Sequence, residues 1–258
     1  MAAGYICDHI LLDTKCEMQA KLRCMPRKPS LPDKPALAPV SRPALMPVTQ
    51  DTVQDRIYAE LSDALICGRL RGGQSLQIRD LAATFQTSVM PVREALRRLL
   101  AEGSLEATAS RRVRVPPITR ERLEDIFAAR LLVEGRAAEL AAECATDDLS
   151  TRLLAADLAF GRAVAANDVD AELQANRQFH FTLYEAAGSA TLMAIIRSLW
   201  LQSGPYLRIA VEQHQTQPAA PRDTHHHEVM QAVAKRDPAA TRMALQADLR
   251  WVLALMEV

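Results

Sequence analysis

The stretch from Gln77 to Gly103 restricts the fold more than any other part of the chain. A short helix-forming run from about Gln77 to Phe85 is broken by the polar trio Gln86, Thr87 and Ser88, and a second run from about Val89 to Glu102 stops at Gly103. Two helices joined by about four residues are helix-turn-helix spacing. In the second helix Val92, Ala95, Leu96 and Leu99 fall at i, i+3, i+4 and i+7 and make one apolar face, while Arg93 and Arg97 project from the other side. Pro91 lies in the first turn, where the backbone amides have no helical partner to lose. The N-terminus of this helix is thus positive through Arg93 and its own amides, with Ser88 beside it as a hydrogen-bond donor. That is chemistry suited to a phosphate.

The flanking residues extend the unit. Val53, Ile57, Leu61 and Leu65 recur every four residues and end at Gly68, which predicts a helix with a glycine terminator. Residues 69–76 form a Gly-Gly turn. Ser104 to Pro116 alternates as a two-stranded ribbon whose tip is Ala109, Ser110, Arg111 and Arg112, and arginines there can reach a minor groove or the backbone of a duplex. Residues 51–118 therefore read as a winged helix-turn-helix. Formal charge over the whole chain is zero, but residues 69–118 carry nine arginines against four acids, while residues 119–258 carry fourteen basic side chains against nineteen acidic ones. Such asymmetry suits a DNA-binding module joined to one with another task. Solvated surface is the competing account of Arg97 and Arg98 taken alone.

Seven of the fourteen prolines (Pro26, Pro29, Pro32, Pro35, Pro39, Pro43 and Pro47) crowd a short stretch, which predicts a disordered leader over residues 1–50. Residues 119–258 read as helical, with breaks near Thr146-Asp147-Asp148, Asn167-Asp168, Gly188-Ser189, Gln213 to Arg222 and Arg236-Asp237-Pro238. About six helices follow, an all-α bundle whose interior can hold a ligand. Asp237 as N-cap before Pro238 starts the last one. An aromatic content of 4% leans the same way, to a mainly α protein. No apolar run is long enough to span a membrane and no secretory signal is evident, so a cytoplasmic protein is expected. Cys7, Cys16 and Cys24 sit in the leader and Cys67 and Cys144 on apolar-periodic segments, which suits reduced thiols.

The first module resembles the GntR family of regulators through Gly68, Leu70, Gly73, Leu76, the triplet Asp80-Leu81-Ala82 and the block Pro91-Val92-Arg93-Glu94-Ala95-Leu96-Arg97-Arg98-Leu99. The resemblance implies a homodimer on double-stranded operator DNA, in the manner of a repressor, with Arg79, Ser88 and Arg93 presented to the duplex. The family usually carries Ser-Arg-Thr-Pro before the Val-Arg-Glu motif, whereas this chain has Ser88-Val89-Met90-Pro91. An arginine that reads guanine is thereby replaced by apolar side chains suited to a thymine methyl.

Residues 119–258 resemble the FCD effector-binding domain of the FadR-type branch, through Arg130 with Glu134, Asn176 with Phe179-His180 and Leu183, Gly188-Ser189-Ala190, His226 with Val229 and Ala232-Val233, and Arg236-Asp237-Pro238. In many such domains an aspartate and three histidines hold a divalent metal that a carboxylate effector completes. The matching positions are Asn176, His180, His226 and Asp248, so the aspartate has become Asn176 and the last histidine Asp248. Two histidines and a carboxylate still suit Zn²⁺, Ni²⁺ or Mn²⁺, the competing account being that His180 is a hydrogen-bonded interior histidine and that Asn176 and Asp248 line a polar pocket. His225 and His227 point away from His226 on a helix, toward solvent. Arg130, Asn176, Tyr206 and Arg208 are candidates for a small carboxylate effector. For Arg130 an internal ion pair with Glu134 is the competing account. A different class of function, metal-assisted hydrolysis at His180, His226 and Asp248, is the alternative, although no nucleophile or general base stands out beside them.

Overall fold

The computed structural model describes residues 52–109, 112–216 and 225–255. The expected leader over 1–50 and the wing-tip residues Ser110 and Arg111 lie outside them. Among the described residues the chain forms nine helices and one small sheet.

Helix α1 (Val53–Ile66) opens with a capping box, the Thr52 hydroxyl accepting from the Asp55 amide at 3.3 Å and the Asp55 carboxylate accepting from the Thr52 amide at 3.2 Å. Ile57, Leu61 and Leu65 are buried as their spacing requires, but Val53 in the first turn is exposed, beside Phe85 and Thr87. Gly68 ends the helix at φ +62°, a conformation that favours glycine. Helices α2 (Ile78–Thr84) and α3 (Val89–Ala101) are joined at Gln86, itself left-handed at φ +50°. Val92, Ala95, Leu96 and Leu99 are buried, and α3 packs on α1 and α2.

The expected two-stranded ribbon is a three-stranded sheet. Strands β1 (Ser75–Leu76), β2 (Glu106–Ala107) and β3 (Val113–Arg114) lie in the order β1-β3-β2, all antiparallel. The added strand is two residues long, too short to show a period, and is seated by the Gly72-Gly73 turn. The Gly73 amide donates to the Val115 carbonyl (3.0 Å) and the Val115 amide to that of Gln74 (2.9 Å).

Six helices follow, matching the expected bundle: α4 (Arg120–Glu143), α5 (Asp147–Ala165), α6 (Val169–Ala186), α7 (Ala190–Thr216), α8 (His226–Ala234) and α9 (Pro238–Leu255). Thr146 and Asp168 cap α5 and α6 where the polar breaks predicted starts, and Asp237 accepts from the Ala240 amide at 3.0 Å ahead of Pro238. The break expected from Gln213 falls later, since α7 runs on to Thr216. α4 is the centre of the bundle and packs on α6, α7, α8 and α9, its Ala137, Ala138, Ala141 and Ala142 being small enough for close approach. One apolar core runs from α1 through α7 into the bundle. No helix among the described residues is long and apolar enough to cross a membrane.

Candidate functional site

Two sites take shape, one on the winged helix-turn-helix and one inside the bundle. On the first, Ser88 is the N-cap of α3, but its side chain makes no capping bond, so its hydroxyl is available at the helix N-terminus. Val89 and Met90 are exposed at the same end. The described arginines of residues 69–118 divide cleanly. Arg69 pairs with Asp63, Arg71 with Glu212, Arg97 with Glu94 at 3.2 Å, Arg98 with Glu102 at 3.3 Å, and Arg114 with Glu106 at 2.6 Å across the sheet. Arg79, Arg93 and Arg112 are exposed and make no ion pair among the described residues. Arg98 also lies 3.6 Å over the Tyr58 ring, so it fastens α3 to α1. Arg112 closes the wing hairpin through its backbone, its carbonyl accepting from the Thr108 amide at 2.8 Å, which leaves its side chain outward.

Inside the bundle His180 on α6, His226 on α8 and Asp248 on α9 bring one ligand-capable atom each to within 4.8 Å of one another. Both histidines are buried. His180 Nε2 is 3.2 Å from Asp248 Oδ2, and His180 Nδ1 is 3.0 Å from the Tyr184 hydroxyl. His226 stacks on Phe179 with ring centroids 3.8 Å apart and places Nδ1 3.0 Å from Asp157 Oδ1. Its Nε2 is buried without a hydrogen-bond partner among the described residues. Burial pushes the His180 imidazole below its ordinary pKa, against the pull of Asp248, so its neutral form is favoured. Burial also acts to raise Asp248, but its contact with His180 outweighs that and holds the carboxyl at about 2, in its ionised form.

A cavity of about 30 Å³ adjoins these groups, walled by Arg130, Asn176, Leu207, Val211 and Trp251 among others. It accommodates one or two water-sized groups. Asn176 thus shares the site with His180 and Asp248. Arg130 reaches it too, but its charge is met internally, Nε and Nη2 donating to the two Glu134 oxygens at 2.6 and 3.1 Å and Nη1 to Ser203 at 3.2 Å. The ion pair expected as the competing account is present.

Tyr206 and Arg208 lie elsewhere. The Tyr206 hydroxyl accepts from the Thr119 amide at 3.4 Å, and Arg208 bonds the Cys67 carbonyl (3.2 Å), Glu212 and Asp170, so both face the junction with the first module. From α7 the cavity receives Leu207 and Val211, one turn apart. Arg208, one residue on, is rotated about 100° away from it. His227 is exposed, as its register predicts, whereas His225, expected toward solvent, is half-buried at the N-cap of α8, 3.7 Å from Glu228. Sequence reasoning missed Tyr184, which the four-residue spacing from His180 could have exposed, and Asp157, for which no sequence signal exists.

Residues 53–115 match the gntR family of bacterial regulatory proteins, and residues 125–250 match the FCD domain. The HTH-type transcriptional regulator McbR of Escherichia coli (strain K12) is 26% identical over 203 residues, 78% of this chain and 91% of McbR. The solved structure of E. coli McbR/YncC superposes with a TM-score of 0.73 over 80% of this chain and 97% of that one, at 26% identity. The HTH-type transcriptional repressor GlaR of E. coli (strain K12) is 27% identical over 181 residues, 63% of this chain and 82% of GlaR. A putative transcriptional regulator GntR from Rhodococcus sp. RHA1, 23% identical, shares the fold with a TM-score of 0.65 over 79% of this chain and 97% of that one. A winged helix-turn-helix ahead of a cavity-bearing helical bundle defines a transcription regulator, and the relatives are regulators as well, which overturns the hydrolase alternative. The chain belongs to the GntR family of bacterial regulatory proteins, with an FCD domain following its helix-turn-helix domain.

Proposed function

We propose that the chain is an effector-responsive repressor that binds operator DNA as a homodimer, through the N-terminus of α3 and the wing. The observation that carries the DNA face is the division of arginines. Five are held by acids, whereas Arg79, Arg93 and Arg112 are free to neutralise phosphate or meet a base edge. Ser88 and the α3 amides add phosphate donors, and the exposed Val89 and Met90 suit thymine methyls. Arg97 contributes less, because Glu94 holds its guanidinium. Ser110 and Arg111 extend the wing contact by their position in the sequence. Two half-sites on a duplex require a fixed spacing between two copies, which favours the homodimer. The name of GlaR accords with a repressor.

In the bundle the donor set fits a divalent cation such as Zn²⁺, Ni²⁺ or Mn²⁺. The buried His226 nitrogen without a partner among the described residues, the neutral imidazole of His180 and the ionised Asp248 carboxylate, facing one another, suit a positive centre between them. His180, His226 and Asp248 would hold it, with Asn176 alongside. When bound, the ion supplies positive charge to an anionic ligand. Because Glu134 neutralises Arg130, the charge that attracts a carboxylate effector comes from the metal, while Arg130 and Asn176 contribute hydrogen bonds from the cavity wall. A cavity that takes one or two water-sized groups restricts an effector held there to a very small carboxylate.

Fluorescence anisotropy on DNA from the chain's own promoter region, over a salt series, tests the first part. Affinity falling steeply with salt is expected, and salt-independent or absent binding would sink it. Elemental analysis of the purified protein tests the second, with one divalent ion per chain expected.

A further inference from the structure

The histidines are held by partners that leave them no choice of tautomer. Both oxygens of the buried Glu134 accept from Arg130, and a carboxylate has no proton to give. The Tyr184 hydroxyl is 2.5 Å from Glu134 Oε2 and must donate its only proton there. Its oxygen is then an acceptor, so His180 Nδ1, 3.0 Å away, must be protonated, and Nε2, which faces Asp248, is the nitrogen left to offer a lone pair to a metal. Asp157 imposes the same pattern on His226, accepting from Nδ1 at 3.0 Å and leaving Nε2 bare. The two Nε2 lone pairs and the Asp248 carboxylate are thereby aimed at one place by two independent sets of partners.

We propose that Tyr184, backed by Glu134 and Arg130, and Asp157 are positioning residues that set the histidine tautomers for metal binding, and that Arg130 acts through this relay rather than as the ion-pair partner of an effector. The proposal rests on the metal reading above. Without the Tyr184 hydroxyl, His180 can move its proton to Nε2 and donate to Asp248 at 3.2 Å, which turns both groups from ligands into a hydrogen-bonded pair. Outer partners of this kind are worth roughly 10–100-fold in metal affinity.

The test uses full-length protein with Tyr184→Phe, which keeps the ring and its packing, and Asp157→Ala, whose carboxylate is partly exposed and so removable without disturbing the core. Metal-free protein labelled at imidazole nitrogen is read by NMR, and Zn²⁺, Ni²⁺ and Mn²⁺ are titrated against a chromophoric chelator. Wild type is expected to show protonated Nδ1 at both histidines. Tyr184→Phe should release His180 alone and Asp157→Ala His226 alone, each weakening metal binding by about 10–100-fold. Unchanged tautomers in the variants, or unchanged affinity for a metal that wild type binds, would overturn the relay. Should wild type bind none of the three ions, the metal reading fails by itself, and the relay is still decided by the nitrogen spectra.

Discussion

Gly204 on α7 abuts Ile66 at the end of α1. A β-carbon at Gly204 would stand 2.5 Å from the Ile66 carbonyl oxygen and nearer still to that of Leu65. The turn of α7 that approaches α1 here also carries Ser203, bonded to Arg130, and Leu207, which lines the cavity. One helix therefore touches the DNA-binding module and the bundle site on adjoining faces.

Gly204→Ala must push α1 from α7, since the obstructing atoms are backbone and cannot rotate away. A loss of about 3 kcal/mol is expected, the upper range for overpacking. For a domain of this size that lowers the melting temperature by roughly 6–12 °C, measurable by calorimetry. Gly161→Ala, inside α5, where a β-carbon meets nothing within 4 Å, is the control and should leave it at or slightly above wild type, since alanine favours a helix interior over glycine.

Arg93→Ala and Arg97→Ala separate a free arginine from a held one. Arg93→Ala should weaken operator binding at all salt concentrations and reduce the slope of log affinity against log salt by about one. Arg97→Ala should change it much less, since Glu94 already neutralises that guanidinium. Equal effects in anisotropy would contradict the division of arginines.

Val89→Arg restores the side chain that the family usually places after Ser88. Because position 89 is exposed at the helix N-terminus, a guanidinium there can reach a guanine edge. Selection of binding sites from random DNA should shift toward guanine at one position per half-site, by about 1–3 kcal/mol.

Glu139 ties α4 to α9 through Arg242 at 3.0 Å and also accepts from Arg136 at 2.6 Å. Partial burial acts to raise its pKa, but the two arginines outweigh that and bring it below the ordinary 4.5. Its folded pKa being the lower one, its contribution is complete above about pH 4.5 and fades as pH falls through the folded value. Glu139→Gln should therefore lower the melting temperature at pH 7 and lose that effect once the pH has fallen below the lowered folded pKa. A deficit that persists in acid would show that packing, not charge, is responsible.

Much of the architecture was legible from local rules. The α3 face from Val92 to Leu99, the terminators Gly68 and Gly103, and the caps Asp168 and Asp237 act over one or two helical turns, and each stands where its pattern put it. The misreadings share a cause. Val53 continues the period of α1 yet stays exposed, because periodicity names a face but not how far the neighbouring helices cover it. α7 buries residues around much of its circumference near the internal Pro205, so its pattern could not tell Leu207, on the cavity, from Tyr206 and Arg208, on the junction.

The sequence by itself determined the winged helix-turn-helix and a six-helix bundle, because helix periodicity, caps and turn glycines are short-range and written in neighbouring residues. Only the tertiary structure decided which arginines are free and which histidine nitrogens are bare. Those properties depend on partners far away in the chain: Glu212 for Arg71, Asp157 for His226, Glu134 for Tyr184. Charge is lent or withheld by whatever packing brings alongside it, and no local pattern encodes that.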